Sequence, residues 1–225
     1  MNKLKAGGIH LLLSALVIAT FIVFLNFFWY QSLMRVTGVV EPLKLLVIID
    51  VVVGPLLTFI VYKQGKKTLK LDLSVIVLMQ LAAFGYGAFI IYQGKPSWLV
   101  FNDNAFEIVY QKEIPSNDNA LQNNGVFSTP KLAYIPYANQ RMGVSAHNNF
   151  SSAEEFKSED WDKINFQKIT LKEAAVLTDL NEIDIESKIN GQDIELYRLN
   201  NDGLMSVLIF ENKKINGFSV LTQFH

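Results

Sequence analysis

The stretch Val47–Lys67, VIIDVVVGPLLTFIVYKQGKK, reads as an interrupted membrane span. Asp50 sits inside the apolar run, Gly54-Pro55 follows it, and Lys63, Lys66 and Lys67 close it. Its apolar part, Leu43–Tyr62, has company on both sides. Ile9–Tyr30, IHLLLSALVIATFIVFLNFFWY, is 22 residues long, and its only basic residue is His10. Leu73–Tyr92, LSVIVLMQLAAFGYGAFIIY, is 20 residues long and uncharged. A helix rising ~1.5 Å per residue needs about 20 residues to cross a hydrocarbon core of ~30 Å. Three transmembrane helices are therefore expected within residues 1–94, followed by a domain at 95–225.

Composition supports that division. Half of the 225 residues are hydrophobic. Residues 1–94 hold 8 Lys/Arg and 3 Asp/Glu, a net of +5, whereas residues 95–225 hold 12 and 18, a net of −6. Opposite signs suit two parts in two environments. No cysteine is present, which excludes a disulfide, a thiolate nucleophile and a cysteine-ligated metal.

Lys3 and Lys5 precede the first run as in a secretory signal. The run is too long for a signal core and lacks a small-residue cleavage site, so an uncleaved anchor is expected. Lys63, Lys66, Lys67 and Lys70 fall on the same side as the N-terminus in a three-span topology, and the positive-inside rule makes that side cytoplasmic. The domain after Tyr92 is then outside. Trp29, Tyr30, Tyr92 and Trp98 form the expected outer aromatic belt, with Tyr62 at the inner surface.

Asp50, Gly54 and Thr58 are spaced by four and lie along one helix stripe. A charged aspartate at the centre of a span costs ~2.5–3.5 kcal/mol, so it should face protein. Counted from the outer ends of the runs, Asp50 and Tyr86 lie at matching depths, with Asn26 as the next partner and Gln80 too deep. Gly85 and Gly87 flank Tyr86, and Ala83 with Gly87 forms a small-xxx-small pair that permits close approach. Pro55 cannot donate to the Val51 carbonyl, so a bend is expected there. Three roles stay open for this polar stripe: locking the helices together, holding a partner's transmembrane helix, or conducting a proton.

These residues carry a family resemblance. Asp50, Gly54-Pro55-Leu56-Leu57-Thr58, Gly65-Lys66-Lys67, Leu69-Lys70, Asp72-Leu73, Gln80-Leu81-Ala82-Ala83 and Gly85-Tyr86-Gly87 together resemble the TfpX/TfpZ-type type IV pilin accessory proteins. Pro96–Val109, PSWLVFNDNAFEIV, resembles that family's entry into its outer domain, with Phe101 and Phe106 as its paired phenylalanines. The resemblance covers residues 1–110 and fades from Gln111. It implies an inner-membrane protein of a Gram-negative bacterium that assists stability, assembly or surface display of a type IV pilin subunit, its expected partner, without catalysis.

The domain at 95–225 reads as α+β with an antiparallel sheet. WLVFN and FEIVYQKEI flank Asp103-Asn104-Ala105 as a hairpin. Asn117–Gly125 is a polar loop, and residues 151–163 form an acidic helix or turn. Thr170 with Glu173 makes a capping box for LKEAAVLTDL. Asn190-Gly191, Asp202-Gly203 and Asn216-Gly217 separate DIELYRL, LMSVLIF and FSVLTQF as an antiparallel meander.

Catalytic signatures are missing. Gln64–Thr68, QGKKT, lacks the preceding glycine of a phosphate loop. His10, His147 and His225 have no ligand spacing, and His147 reads as a surface-loop residue. A second intramembrane carboxylate, which an aspartyl protease needs, is absent from spans one and three. Glu154, Glu155, Glu159, Asp160 and Asp162 read as a solvated face or a docking site for a basic partner. No cofactor, metal or nucleic-acid partner is implied. The competing function is a membrane-anchored sensor or regulator, which the short cytoplasmic segments disfavour.

Overall fold

The computed structural model describes residues 2–114, 125–140, 143–155, 164, 166–180, 185, 194–201, 204–211 and 218–221. The chain forms two compact units. One comprises Met1–Phe27 with Gly38–Gly94, the other Phe28–Thr37 with Lys95–His225.

Among the described residues, three helices are long and apolar enough to cross a membrane: Lys3–Trp29, Val40–Val61 and Leu69–Gln93. In the first, α1 (Lys3–Phe24) passes into a π-helical turn, Leu25–Trp29. Asn2 caps its start, accepting the Lys5 N–H at 2.9 Å. The second span is composite: α2 (Val40–Val47), a π-helical stretch (Ile48–Val53) and α3 (Gly54–Val61). The third is α4 (Leu69–Gln93), entered through a turn in which Gly65 has φ 82°. Helical hydrogen bonding does not stop where polarity changes. The second and third helices therefore start three and four residues before their apolar runs, at Val40 and Leu69.

The middle span packs on both others, while the first and third make few direct contacts. Missing side chains allow the close approaches. A Cβ on Gly7 would lie 3.3 Å from Phe59 Cβ, and one on Gly87 would lie 2.8 Å from Leu46 Cδ1.

Among the described residues, the second unit is built on a seven-stranded mixed sheet of order β4-β3-β1-β2-β5-β6-β7. The strands are β1 (Pro96–Asn102), β2 (Ala105–Tyr110), β3 (Lys131–Tyr134), β4 (Glu154–Glu155), β5 (Ile194–Asn201), β6 (Leu204–Glu211) and β7 (Phe218–Leu221). Pairing is mostly antiparallel, as expected, with parallel joints at β1–β3 and β2–β5. The β1–β2 hairpin turns at Asp103, whose φ of 58° suits a two-residue turn.

β1 is buried on both faces, so alternate residues feed two cores. Leu99 and Phe101 join Phe106, Tyr197 and Phe210 on one face. Trp98 and Val100 join Ile135, Ala146 and Phe150 on the other. A third cluster lies beneath α6 (Leu171–Thr178). There the expected capping box is present: Glu173 N–H donates to Thr170 Oγ1 at 3.2 Å, and Thr170 N–H donates to Glu173 Oε2 at 2.9 Å.

The first linker, Gln31–Arg35 in a 3-10 turn, belongs to this unit. Leu33 and Val36 are members of its largest core, and Leu33 is fully buried. Burying one such side chain is worth ~1.5–3 kcal/mol.

His147 corrects its expected place in a surface loop. It sits in α5 (Ala146–Asn149), half-buried, with Nδ1 3.3 Å from Glu113 Oε2. Of the acidic segment, Glu154 and Glu155 form β4, where they meet Tyr134 and Lys131. Glu159, Asp160, Asp162, His225, most of the Asn117–Gly125 loop and the three Asn-Gly and Asp-Gly turns lie outside the described residues.

Candidate functional site

Asp50 is 6% exposed, and its stripe faces protein. The π-helical register explains how. Gly54 N–H is directed at Ile49 O, and Pro55 has no N–H, so neither serves the carbonyl of Asp50. The carbonyl of Asp50 is thus left without a helical donor. Gln80 of α4 supplies the missing donor: its Nε2 lies 3.2 Å from Asp50 O and 3.5 Å from Asp50 Oδ1. Gly54 makes room for it, since a Cβ there would stand 2.0 Å from Gln80 Nε2. Four residues on, Thr58 is buried and its Oγ1 meets His10 Nδ1 of α1 at 2.5 Å. One face of the middle span thus bonds to both neighbours.

The partner expected for Asp50 is corrected. Tyr86 is 70% exposed, and Asn26 is exposed too. The helix begins at Val40, so Asp50 lies ~4.5 Å deeper than the count from Leu43 gives. The packing stripe of α4 runs through Gln80 and Gly87, seven residues apart, and Tyr86 is turned about 100° away from Gly87. Ala83 is half-buried, while Gly85 has open space beside it and is exposed. Pro55 is buried, its carbonyl 3.5 Å from where a Gly7 Cβ would stand. At the basic turn, Lys66 pairs with Asp72 at 2.7 Å, while Lys63, Lys67 and Lys70 are exposed.

The divergence of α1 and α4 leaves a cleft of 210 Å³ between them. His10, Ser14, Asp50 and Gln80 line it with polar groups, and Leu13, Val17 and Leu81, all more than half exposed, form its apolar rim. Gln80 Oε1 is buried without a hydrogen-bond partner among the described residues. The amide orientation follows from the two Asp50 oxygens that Nε2 faces. Further along both helices, away from the basic turn, Phe21 meets Phe84 edge-on, with ring centroids 5.2 Å apart. His10 was passed over in the sequence for want of ligand spacing; its signal was depth, shared with Thr58 on an antiparallel neighbour.

A larger hollow of 1020 Å³ lies in the sheet unit. Phe101, Asp103, Tyr134, Tyr137, Phe166 and Lys168 contribute to its lining, and Tyr137 is 90% exposed.

Relatives share this chain over much of its length. The fimbrial assembly protein of Dichelobacter nodosus serogroups C1 and C2 is 36% identical over 113 residues, covering 49% of this chain and 86% of the relative. The chain belongs to the fimbrial assembly proteins. Those of D. nodosus serogroups I and E1 are each 31% identical over 156 residues, covering 68% of this chain and 58% of each relative. The chain thus matches little more than half the length of those two family members. No protein-family model matches it, and no solved structure does.

Proposed function

We propose that this fimbrial assembly protein is an accessory factor of type IV pilus biogenesis, of the TfpX/TfpZ type, which binds a pilin subunit in the bacterial inner membrane and does not act on it chemically. Its N-terminus and the Lys63–Lys70 turn face the cytoplasm, and its sheet unit faces the periplasm. The observation that carries the reading is the intramembrane cleft. Its floor holds an acceptor, Gln80 Oε1, for which lipid offers no donor. Its rim is apolar and open. A partner's transmembrane helix with one donor side chain completes the hydrogen bonding and covers Leu13, Val17 and Leu81.

A waiting pilin subunit presents one apolar N-terminal helix and one globular head. The cleft suits the helix, and the hollow around Tyr134 and Tyr137 suits a head segment. Two modest contacts on one chain gain effective concentration, so each can release its client. The small residues themselves are not free to hold the helix, because Gly54 and Gly87 are covered by Gln80 and Leu46.

The test is cross-linking in membranes from a photo-reactive residue at Leu81, on the rim, against one at Tyr86, on the far face of α4. A pilin adduct from Leu81 and none from Tyr86 is expected. Equal adducts from both, or none from Leu81 while pili still require the gene, would overturn the cleft as the docking site.

A further inference from the structure

Residues Gly125–Ser128 form a tight turn, closed by Ser128 N–H donating to Gly125 O at 3.1 Å. Its two central residues are Val126, 59% exposed, and Phe127, 69% exposed. Turn tips in water favour glycine, proline and short polar side chains, so two large apolar ones need another explanation.

The turn is tied at several points. Trp29 Nε1 donates to Val126 O at 2.6 Å. The rings of Phe28 and Phe127 meet edge-on, 5.3 Å apart. The Lys95 ammonium donates to Gly125 O at 3.3 Å and to Ser128 Oγ. Phe28 and Trp29 are the last residues of the first membrane-crossing helix. Trp29 is itself only 6% exposed, so it marks the end of the span by its position in the helix and not as a lipid-facing indole. A turn that accepts a hydrogen bond from that indole shares its depth.

We infer that Val126 and Phe127 are seated in the bilayer surface, where they act as a lipid anchor for the sheet unit. The partner is the headgroup–acyl boundary of the membrane that the first span crosses. Continuity with the span selects lipid over protein: Phe28, which Phe127 touches, is itself part of the membrane-crossing helix. The proposal is independent of what the cleft binds.

The absence of cysteine makes the test direct. Single cysteines are placed at Val126 and Phe127, at Tyr137 as a water reference and at Leu78 as a lipid reference. Each is spin-labelled in the full chain reconstituted into phosphatidylcholine–phosphatidylglycerol vesicles. Power saturation then compares access by oxygen, which favours lipid, with access by a water-soluble nickel complex. Both turn labels should shift from the Tyr137 ratio toward the Leu78 ratio. The Val126 label keeps the Phe28–Phe127 contact, so local disturbance at Phe127 does not decide the result. Nickel access equal to Tyr137 at either position overturns the anchor. Shielding from both reagents overturns it too, because protein then covers the turn.

Discussion

Asn201 Nδ2 donates to the carbonyl of Val36 at 2.7 Å, joining positions 165 residues apart. Asn201 Oδ1 at the same time accepts from Tyr110 Oη at 2.8 Å. One amide at the end of β5 thus fastens the first linker and the end of β2. All three residues are buried. Asn201→Ala removes both bonds and takes the donor from the buried Val36 carbonyl, at ~1–3 kcal/mol. The expected outcome is a lower unfolding midpoint of the sheet unit and faster tryptic cleavage after Arg35. Asn201→Asp, which sets a buried carboxylate oxygen against the Val36 carbonyl, should cost at least as much. An unchanged cleavage rate in Asn201→Ala would show that the linker is held by packing alone.

Gly54 and Gln80 act through one contact, so their substitutions should not add. Gln80→Ala removes the donor to Asp50 O, a loss of ~0.6–2 kcal/mol by the scale of interhelical bonds. Gly54→Ala pushes the Gln80 amide out of the same place and should cost a similar amount. In the Gln80→Ala background the new Cβ meets no amide, and alanine gains ~0.5–1 kcal/mol over glycine in a helix. A double-mutant cycle in micelles, read by denaturant-induced loss of helicity, checks this. Strict additivity would disconnect the two residues.

Lys95 gives a pH dependence with a definite sign. It is 1% exposed, and burial pulls its ammonium down to about 8 from an ordinary value of 10.5. Between those values the unfolded chain holds the extra proton, so this group's contribution to stability rises with pH across that window. Below pH 8 both states are charged and the contribution is flat. Burial and the Glu195 hydrogen bond hold the Tyr197 hydroxyl above its usual range, and its opposing effect begins only above pH ~10. Denaturant midpoints at pH 7.5 and 9.5 should therefore rise for the wild type relative to Lys95→Met. Parallel curves would contradict the buried ammonium.

Topology is checked with single cysteines at Gln64 and Tyr137. In spheroplasts a membrane-impermeant thiol reagent should label Tyr137→Cys and not Gln64→Cys. The converse pattern would invert the proposed orientation.

Legibility followed the range of the interactions. The three spans were readable because length and polarity alone define them. The Thr170–Glu173 box and the Asp103 turn were readable because they are local. The β1–β3 and β2–β5 parallel joints were not, since long-range pairing leaves no short motif. Gln31–Thr37 gave no sign of being core: Leu33 and Val36 stand among polar residues in what looks like a connector. The polar stripe on the middle span was visible, but its partner depended on helix phase and starting depth. An error of three residues at Val40 was enough to bring Tyr86 forward in place of Gln80.

The inclusion of Phe28–Thr37 in the sheet unit sets an order on biosynthesis. The linker leaves the ribosome early, yet the amide that fastens it is made 165 residues later. At ~5–20 residues per second that interval is on the order of 10–30 s. Completion of the sheet core is thus the step that covers the connector: until the later strands arrive, Leu33 and Val36 lack many of the partners that bury them.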